Sequence, residues 1–331
     1  MRAVVTGWSA VSPWGRGAAA FADGLLAARP AREAGGAATV PDFDVRELLG
    51  RRDTNSMDRA TAYAIVAVGD LLAETAPARG TDLAVVLGTT SGSLQAQYDM
   101  AVQSTTRRRR HLVDPGLVPH AVLNSAASRT AIRHHLRGAN STVAAGAVSG
   151  LLVLDQARRM LTAGRADAVV AGAAEECSPT RRWLTGRDDL GEGAVALLVE
   201  RADDVPAGRP VLAEVLGVSS RVVLGDAPGD TAAALRECVA GLLRRTGTAA
   251  DELWAAVPLD PANHVFAEGV HVVGLTELIG HGGAVSAAFQ VAAVLALAGA
   301  DPASAGRRAL VTSADGTGVV AAAVLELPRS A

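Results

Sequence analysis

Two stretches of this chain, Ser149–Ala163 and Val285–Ala298, read as helices that carry few or no charged side chains. A helix that is apolar on nearly every side is covered only when other layers of structure lie against both of its faces. Each of the two runs into a short apolar segment, Ala168–Ala171 and Ala309–Thr312, that reads as a buried strand followed by a turn of small residues. A second pair repeats in the same order: Met57–Leu72 with Leu83–Leu87, then Thr231–Arg244 with Trp254–Pro258. The economical fold is α/β, a sheet–helix–sheet arrangement built twice. Nothing between residues 1–204 and 205–331 looks like a linker, so the two halves are expected to pack as one unit.

Composition narrows what such a fold can do. The 331 residues are 49% hydrophobic and 20% charged, enough for a large core. A formal net charge of −3 gives no bulk attraction to nucleic acid or to an anionic membrane. All 31 basic residues are arginine, so chemistry that needs a lysine is excluded. Cys177 and Cys238 are too few and too far apart for a disulfide framework or a zinc site, and are expected to pack as small apolar residues. The N-terminal residues enter a strand-like run at Ala3–Thr6 without a signal pattern, and Val285–Ala298 is too short to span a bilayer. A cytoplasmic location is expected.

Further elements follow from pattern. Ser93–Thr105 reads as a helix ending in the run Arg107–Arg110, Val118–His135 as another helix, and Asn140–Ala145 as a short strand. The glycines of Gly88–Gly92 suit a backbone turn and lack nucleotide-binding spacing.

Several motifs resemble the β-ketoacyl synthases, a branch of the thiolase fold. The opening Ala3-Val-Val-Thr-Gly-Trp-Ser-Ala-Val-Ser-Pro-Trp-Gly15 is similar to that family's first strand and turn, and Met57-Asp-Arg resembles its Met-Asp-Arg helix start. Gly191-Glu-Gly-Ala-Val-Ala-Leu-Leu-Val-Glu200 looks like the Gly-Asp-Gly-Ala hairpin that closes its first half. The most specific stretch is Gly138-Ala-Asn-Ser-Thr-Val-Ala-Ala-Gly-Ala-Val-Ser-Gly150, continuing to Gly172-Ala-Ala-Glu175. Leu278-Ile-Gly-His-Gly-Gly283 and the glycine-rich Ser313–Gly318 are similar to motifs of the second half.

The resemblance implies a duplicated five-layer α/β/α/β/α sandwich, and a catalytic centre that has lost its chemistry. The position of the family's nucleophilic cysteine falls on Ala147, so no acyl-enzyme can form there. The lysine of the second-half motif is Thr276, and its histidine is kept as His281. The region of the family's other catalytic histidine, Ala256–Pro261, contains none, and Ala314 or Gly316 stands where a gating phenylalanine is found. Among the family, a chain without the nucleophile resembles the chain length factors of type II polyketide synthases.

That kinship implies partners and sites. An active ketosynthase subunit would pair with this chain, and substrates would ride on the phosphopantetheine of an acyl carrier protein, with no metal or other cofactor. The pairing strand would comprise Asn140, Ser141, Thr142, Val143, Ala144 and Ala145. Leu94, Gln97, Tyr98 and Ala101 would border the acyl tunnel, and Arg107, Arg108, Arg109 and Arg110 would dock the carrier protein or the partner. Three other uses stay open: an acyltransferase with Ser149 as nucleophile, a decarboxylase, and an acyl-binding homodimer. Ser149 needs a base within hydrogen-bond reach, and Ala147 offers no amide to a developing enolate.

Overall fold

The computed structural model describes residues 1–32, 36–52, 54, 56–77, 83–225, 227, 229–260 and 270–329. Strand β1 (Ala3–Ser12) opens the chain, with the two-residue β2 (Gly15–Arg16) folded back on it and α1 (Ala18–Leu26) after it. Then follow α2 (Val45–Leu49), α3 (Arg59–Thr75), β3 (Leu83–Thr89), α4 (Leu94–Thr106) and α5 (Ser125–His134). The half closes with β4 (Asn140–Ala144), α6 (Ser149–Thr162), β5 (Ala168–Glu175), α7 (Pro179–Thr185) and β6 (Gly193–Arg201). The second half consists of β7 (Ala213–Val222), α8 (Asp230–Thr246), β8 (Leu253–Pro258), β9 (His271–Val272), α9 (Thr276–Ile279), α10 (Ala284–Ala300), β10 (Arg308–Asp315) and β11 (Val319–Glu326).

Among the described residues the strands pair in the order β4-β3-β5-β6-β1-β7-β11-β10-β8-β9. Cut between β1 and β7, the two sides have one topology. Strand β3 runs parallel to β4 and β5, and β6 lies antiparallel between β5 and β1. In the same way β8 runs parallel to β9 and β10, and β11 lies antiparallel between β10 and β7. Only the pairs Val4–Glu214 and Val5–Ala213 join the two halves of the sheet. The duplication read from the helix–strand pairs is therefore a duplication of the whole sheet.

Side-chain alternation turns this topology into layers. In β5, Val169, Ala171 and Ala173 face a central core, while Ala168, Val170 and Ala174 face an outer one with α3. In β11, Ala321, Ala323 and Leu325 join the same central core, while Val320, Ala322 and Val324 face α8. Helices α6 and α10 fill the centre and touch each other, which gives the five layers of the thiolase fold. Thirteen of the residues of α10 are buried, among them Gln290, whose amide donates to Val257 O and Thr312 O.

The local signals account for the element ends. Asp58 caps α3 by accepting from Thr61 N, and Ser93 caps α4 by accepting from Ala96 N. One expectation fails: Val118–His135 is not one helix. Asp114 accepts from Gly116 N in a tight turn, Leu117 O accepts from both His120 N and Ala121 N, and Val122 O accepts from Ser125 N, so single turns occupy this stretch. The chain turns through this stretch, and α5 starts only at Ser125.

The central helices approach so closely that a Cβ on Gly150 would lie 2.4 Å from the backbone nitrogen of Ala288. Neither backbone can yield without shifting a sheet. Replacement Gly150→Val is expected to destabilise the fold by about 1–3 kcal/mol, the usual cost of overpacking. Thermal unfolding beside Gly241→Val, at an open helix position whose nearest neighbours are the ends of arginine side chains, checks it.

Candidate functional site

The strand β4 leads through Ala145 into a single 3-10 turn, Gly146–Val148, which opens onto α6. Gly146 has φ +56°, and a Cβ there would lie 2.0 Å from Asp315 Oδ2. Only glycine satisfies both constraints. Ala147 follows, 1% exposed. Its N–H donates to Asp315 Oδ2 at 2.8 Å, and its carbonyl accepts from Ser313 Oγ at 3.0 Å. The end of β10 thus holds both backbone groups of the residue that stands at the nucleophile's position.

Ser149 is fully buried and its hydroxyl is committed: it accepts from Ala145 N at 2.9 Å and donates to Thr89 O at 3.3 Å. Its hydrogen-bond partners are backbone groups, with no base among them. Ser149 thus braces the turn between β4 and α6.

His281 enters by a bridge to Leu190. Its N–H donates to Asp189 O, and its carbonyl accepts from Gly191 N and from Arg181 Nη2. Nδ1 accepts from Gly283 N at 3.3 Å, which leaves the ring proton on Nε2. Burial, then the guanidinium groups of Arg187 and Arg181, push its pKa down to about 4. The ring is neutral at ordinary pH. Thr276, at the lysine position, donates its hydroxyl to Leu259 O.

These positions meet at one cavity of about 430 Å³, lined by Thr276, His281, Thr312, Ser313, Ala314 and Gly316 with Arg187, Leu235, Leu259, Asp260 and Glu277. Ala147 is not in its wall, but its backbone is bonded to Ser313, which is, and to Asp315 on the same segment. No imidazole stands on the described part of the Ala256–Pro261 region, Ala256–Asp260; Pro261 lies outside the described residues. The centre is closed to covalent catalysis through residue 147.

The remaining expected residues lie elsewhere. In α4 only Ala96 is buried. Leu94 is half-buried, Gln97 folds back to donate to Ser91 O, and Tyr98 and Ala101 are exposed. The Arg107–Arg110 run is exposed at the end of α4, where Arg107 turns to Leu112 O. Strand β4 is the outer edge of the sheet, and Ala145 lies just past it. Burial raises both thiol pKa values, in keeping with Cys177 and Cys238 as packed, unreactive groups.

Sequence reasoning missed the polar frame. Arg181, 3% exposed, donates to the carbonyls of Glu176, Gly191 and His281 and so ties three segments together. Glu192 accepts from Tyr63 Oη, Arg59, Val40 N and Cys177 N. Glu175 accepts from Thr90 N and Ala284 N. An acidic residue inside an apolar run, such as Glu175 after Ala174, is the one signal that could have marked these.

The comparisons agree with this geometry. The model of the β-ketoacyl synthase N-terminal domain matches residues 37–187. The ishigamide ketosynthase/chain length factor structure superposes with a TM-score of 0.90 and 44% identity, covering 99% of this chain and 100% of that one. The chain belongs to the β-ketoacyl synthase family. Among characterised enzymes it is similar to the 3-oxoacyl-[acyl-carrier-protein] synthase 2 of Vibrio harveyi, 28% identical over 55% of this chain and 51% of that enzyme. It is 27% identical to the Rhizobium meliloti synthase 2, over 76% of this chain and 72% of that enzyme. The chain thus spans about half the length of the Vibrio harveyi enzyme. A β-ketoacyl synthase of Burkholderia phymatum, 19% identical, has the same fold with a TM-score of 0.84, covering 99% of this chain and 100% of that one. No helix among the described residues is long and apolar enough to cross a membrane.

Two buried groups make stability pH-dependent in opposite senses. Between about 4 and 6.5 the unfolded chain protonates His281 and the folded chain does not, so this group costs stability as pH falls through that window. Burial, then the nearby Asp58, raises Glu176 from 4.5 to about 7. Between those values the folded chain keeps a proton that the unfolded chain has lost, so stability falls as pH rises. Glutamine in place of Glu176 still accepts from Ser93 Oγ. Glu176→Gln is therefore expected to be stabilising at pH 8 and near neutral at pH 4, as read by denaturant unfolding at both.

Proposed function

We propose that this chain is a non-catalytic, chain-length-factor type subunit of a type II polyketide ketosynthase. The observation that carries this reading is Ala147: a side chain without a nucleophilic atom, buried and clamped at the elbow where the family forms its acyl-enzyme. An active ketosynthase subunit would supply the cysteine and the histidines, in a cytoplasmic complex fed by an acyl carrier protein. The likeness to the ishigamide ketosynthase/chain length factor supports this reading. Alone, the purified chain is expected to gain no acyl group from malonyl or acyl carrier protein. A covalent adduct on the isolated chain, seen by intact mass, would overturn the reading.

The edge strand supports a partner. Among the described residues the outer strands are β4, with five residues, and β9, with two, and of these β4 offers the ladder long enough to extend another sheet. Val85 N donates to Ala139 O, and the register pairs Val85 with Asn140. Alternate residues Asn140, Thr142 and Ala144 therefore turn their backbone groups away from β3. Exposed Val122, Leu123 and Ile132 flank this edge on and before α5, which packs on β4. Val143 instead packs against the central core, so an aspartate there would harm folding as well as pairing. Thr142→Pro removes one outward N–H and leaves the β3 ladder intact. It is expected to abolish co-purification with a co-expressed Thr-Ala-Cys synthase without lowering the thermal midpoint of the isolated chain.

The outward face of α4 fits the tunnel role, since Ala101 is exposed there and Tyr98, also exposed, meets only the exposed ring of Trp183 among the described aromatic side chains. Ala101→Phe is expected to shorten the product of the complex, read by mass spectrometry, with normal assembly on size exclusion. Unchanged length would remove α4 from the tunnel.

A further inference from the structure

The duplication relates the ends of the two central helices. Gly146 and Gly283 both have positive φ, +56° and +55°, and each precedes an alanine whose N–H opens a buried helix. Glu175 is the last residue of β5 and Asp315 the last residue of β10, the strands that correspond between the halves. Glu175, from the first half, accepts from Ala284 N at the start of α10. Asp315, from the second half, accepts from Ala147 N at the start of α6. Each half places a carboxylate on the other half's central helix.

The two carboxylates differ in one respect. Glu175 faces a structural helix end, whereas Asp315 sits on the N–H of the residue that holds the family's nucleophile. A free N–H at a helix start is a ready donor to a developing oxyanion. Here that donor is spent on Asp315 Oδ2, while Oδ1 accepts from Thr317 N at 2.9 Å and from Thr317 Oγ1 at 2.5 Å, which fixes the carboxylate.

Building on the non-catalytic reading above, we infer that Asp315 is a built-in anion that occupies the acyl site, so that restoring a thiol at residue 147 alone does not restore acyl transfer. The carboxylate fills the place of the thioester oxygen and repels a thiolate on residue 147. The other ionisable groups around this end of α6 do not replace it: in the adjoining cavity Arg187 is paired with Asp189, and Asp260 and Glu277 are carboxyl groups away from Ala147 N, which bonds Asp315. His281 is neutral, and Glu175 is held by Thr90 and Ala284 beside the Arg181 guanidinium.

The test uses the full chain as wild type, Ala147→Cys, Ala147→Cys/Asp315→Asn and Ala147→Cys/Asp315→Ala, each first checked for a cooperative melt. The Asn variant keeps the shape and an acceptor for the N–H but removes the charge. Iodoacetamide alkylation reads the charge: the thiolate sulfur displaces iodide, and the product is counted on the tryptic peptide Gly138–Arg158, which carries no native cysteine. Removing the charge is expected to lower the pH midpoint by about one unit and raise the rate at pH 7 about ten-fold. Hexanoyl-N-acetylcysteamine reads occupancy: the thiolate attacks the thioester carbonyl, N-acetylcysteamine leaves, and a hexanoyl group stays on residue 147. Acylation is expected with Asp315→Ala present and not with Ala147→Cys alone. Equal alkylation rates and equal acylation in all the cysteine variants would overturn the role of Asp315 and leave the vacancy reading standing. Acylation of the wild-type chain would overturn the vacancy reading itself. If the Ala double variant does not fold, the alkylation rates of the Asn pair decide the matter.

Discussion

The structure depends on the contact between α6 and α10, two buried helices that cross at Gly150 and Ala288 with their backbones nearly touching. Because both faces of this pair are covered by sheet, the residues at the helix starts, Ala147 and Ala284, are buried, and their N–H groups find partners within the protein. The second half answers for the first, and the first for the second. Glu175 and Asp315 are thus consequences of the layer order as much as of any chemistry. Arg181 serves the same end, since its guanidinium reaches carbonyls on segments that pack from different layers.

The duplication is close inside and loose outside. The inner helices, the strand order and the positive-φ glycines correspond between halves. The outer layers do not: α3 and α5 cover the first half, while α8 covers the second. Among the described residues, the long turn before α5 and a five-residue edge strand such as β4 are seen in the first half alone. A duplicated fold that kept both edges alike would present two sites for sheet extension and could polymerise. Among the described residues β9 has only two, so the two edges of the sheet are not alike.

Most of the fold was legible because its signals are local. Absence of charge along Val285–Ala298 requires cover on both sides, whatever the rest of the chain does. The resemblance that places Ala147 at the nucleophile's position is local in the same way, since a short elbow aligns without knowledge of its surroundings. The partners of that elbow were not, because Asp315 lies 168 residues from Ala147 and the contact exists only once the halves have packed. The glycine-rich loop Ser313–Gly318 could be read for a missing phenylalanine, but nothing local says where its carboxylate goes. Val118–His135 fails for another cause. Apolar spacing continues through residues 118–124, which the chain spends on turns before the helix starts at Ser125. Gln97 was read as a polar mark on a tunnel face, yet its amide serves the preceding turn.

A centre that has lost its nucleophile would be expected to drift in shape if chemistry were all that held it. Here the same geometry is required by packing. Gly146 must be glycine because its φ is positive and because Asp315 fills the space beside it. His281 is held through its main chain by Asp189, Gly191 and Arg181, so its position follows from the join between β6 and the start of α10 rather than from a proton to be moved. Gly191 in turn admits no Cβ, since one would lie 2.3 Å from Ile279 O. The residues that resemble an active synthase are therefore those whose backbone and burial the sandwich demands, and Ala147, one of those that depart from the resemblance, is one whose side chain packing leaves free to be small. Resemblance around such a site measures the requirements of the fold, and the chemistry has to be judged at the single atom where the bond would form.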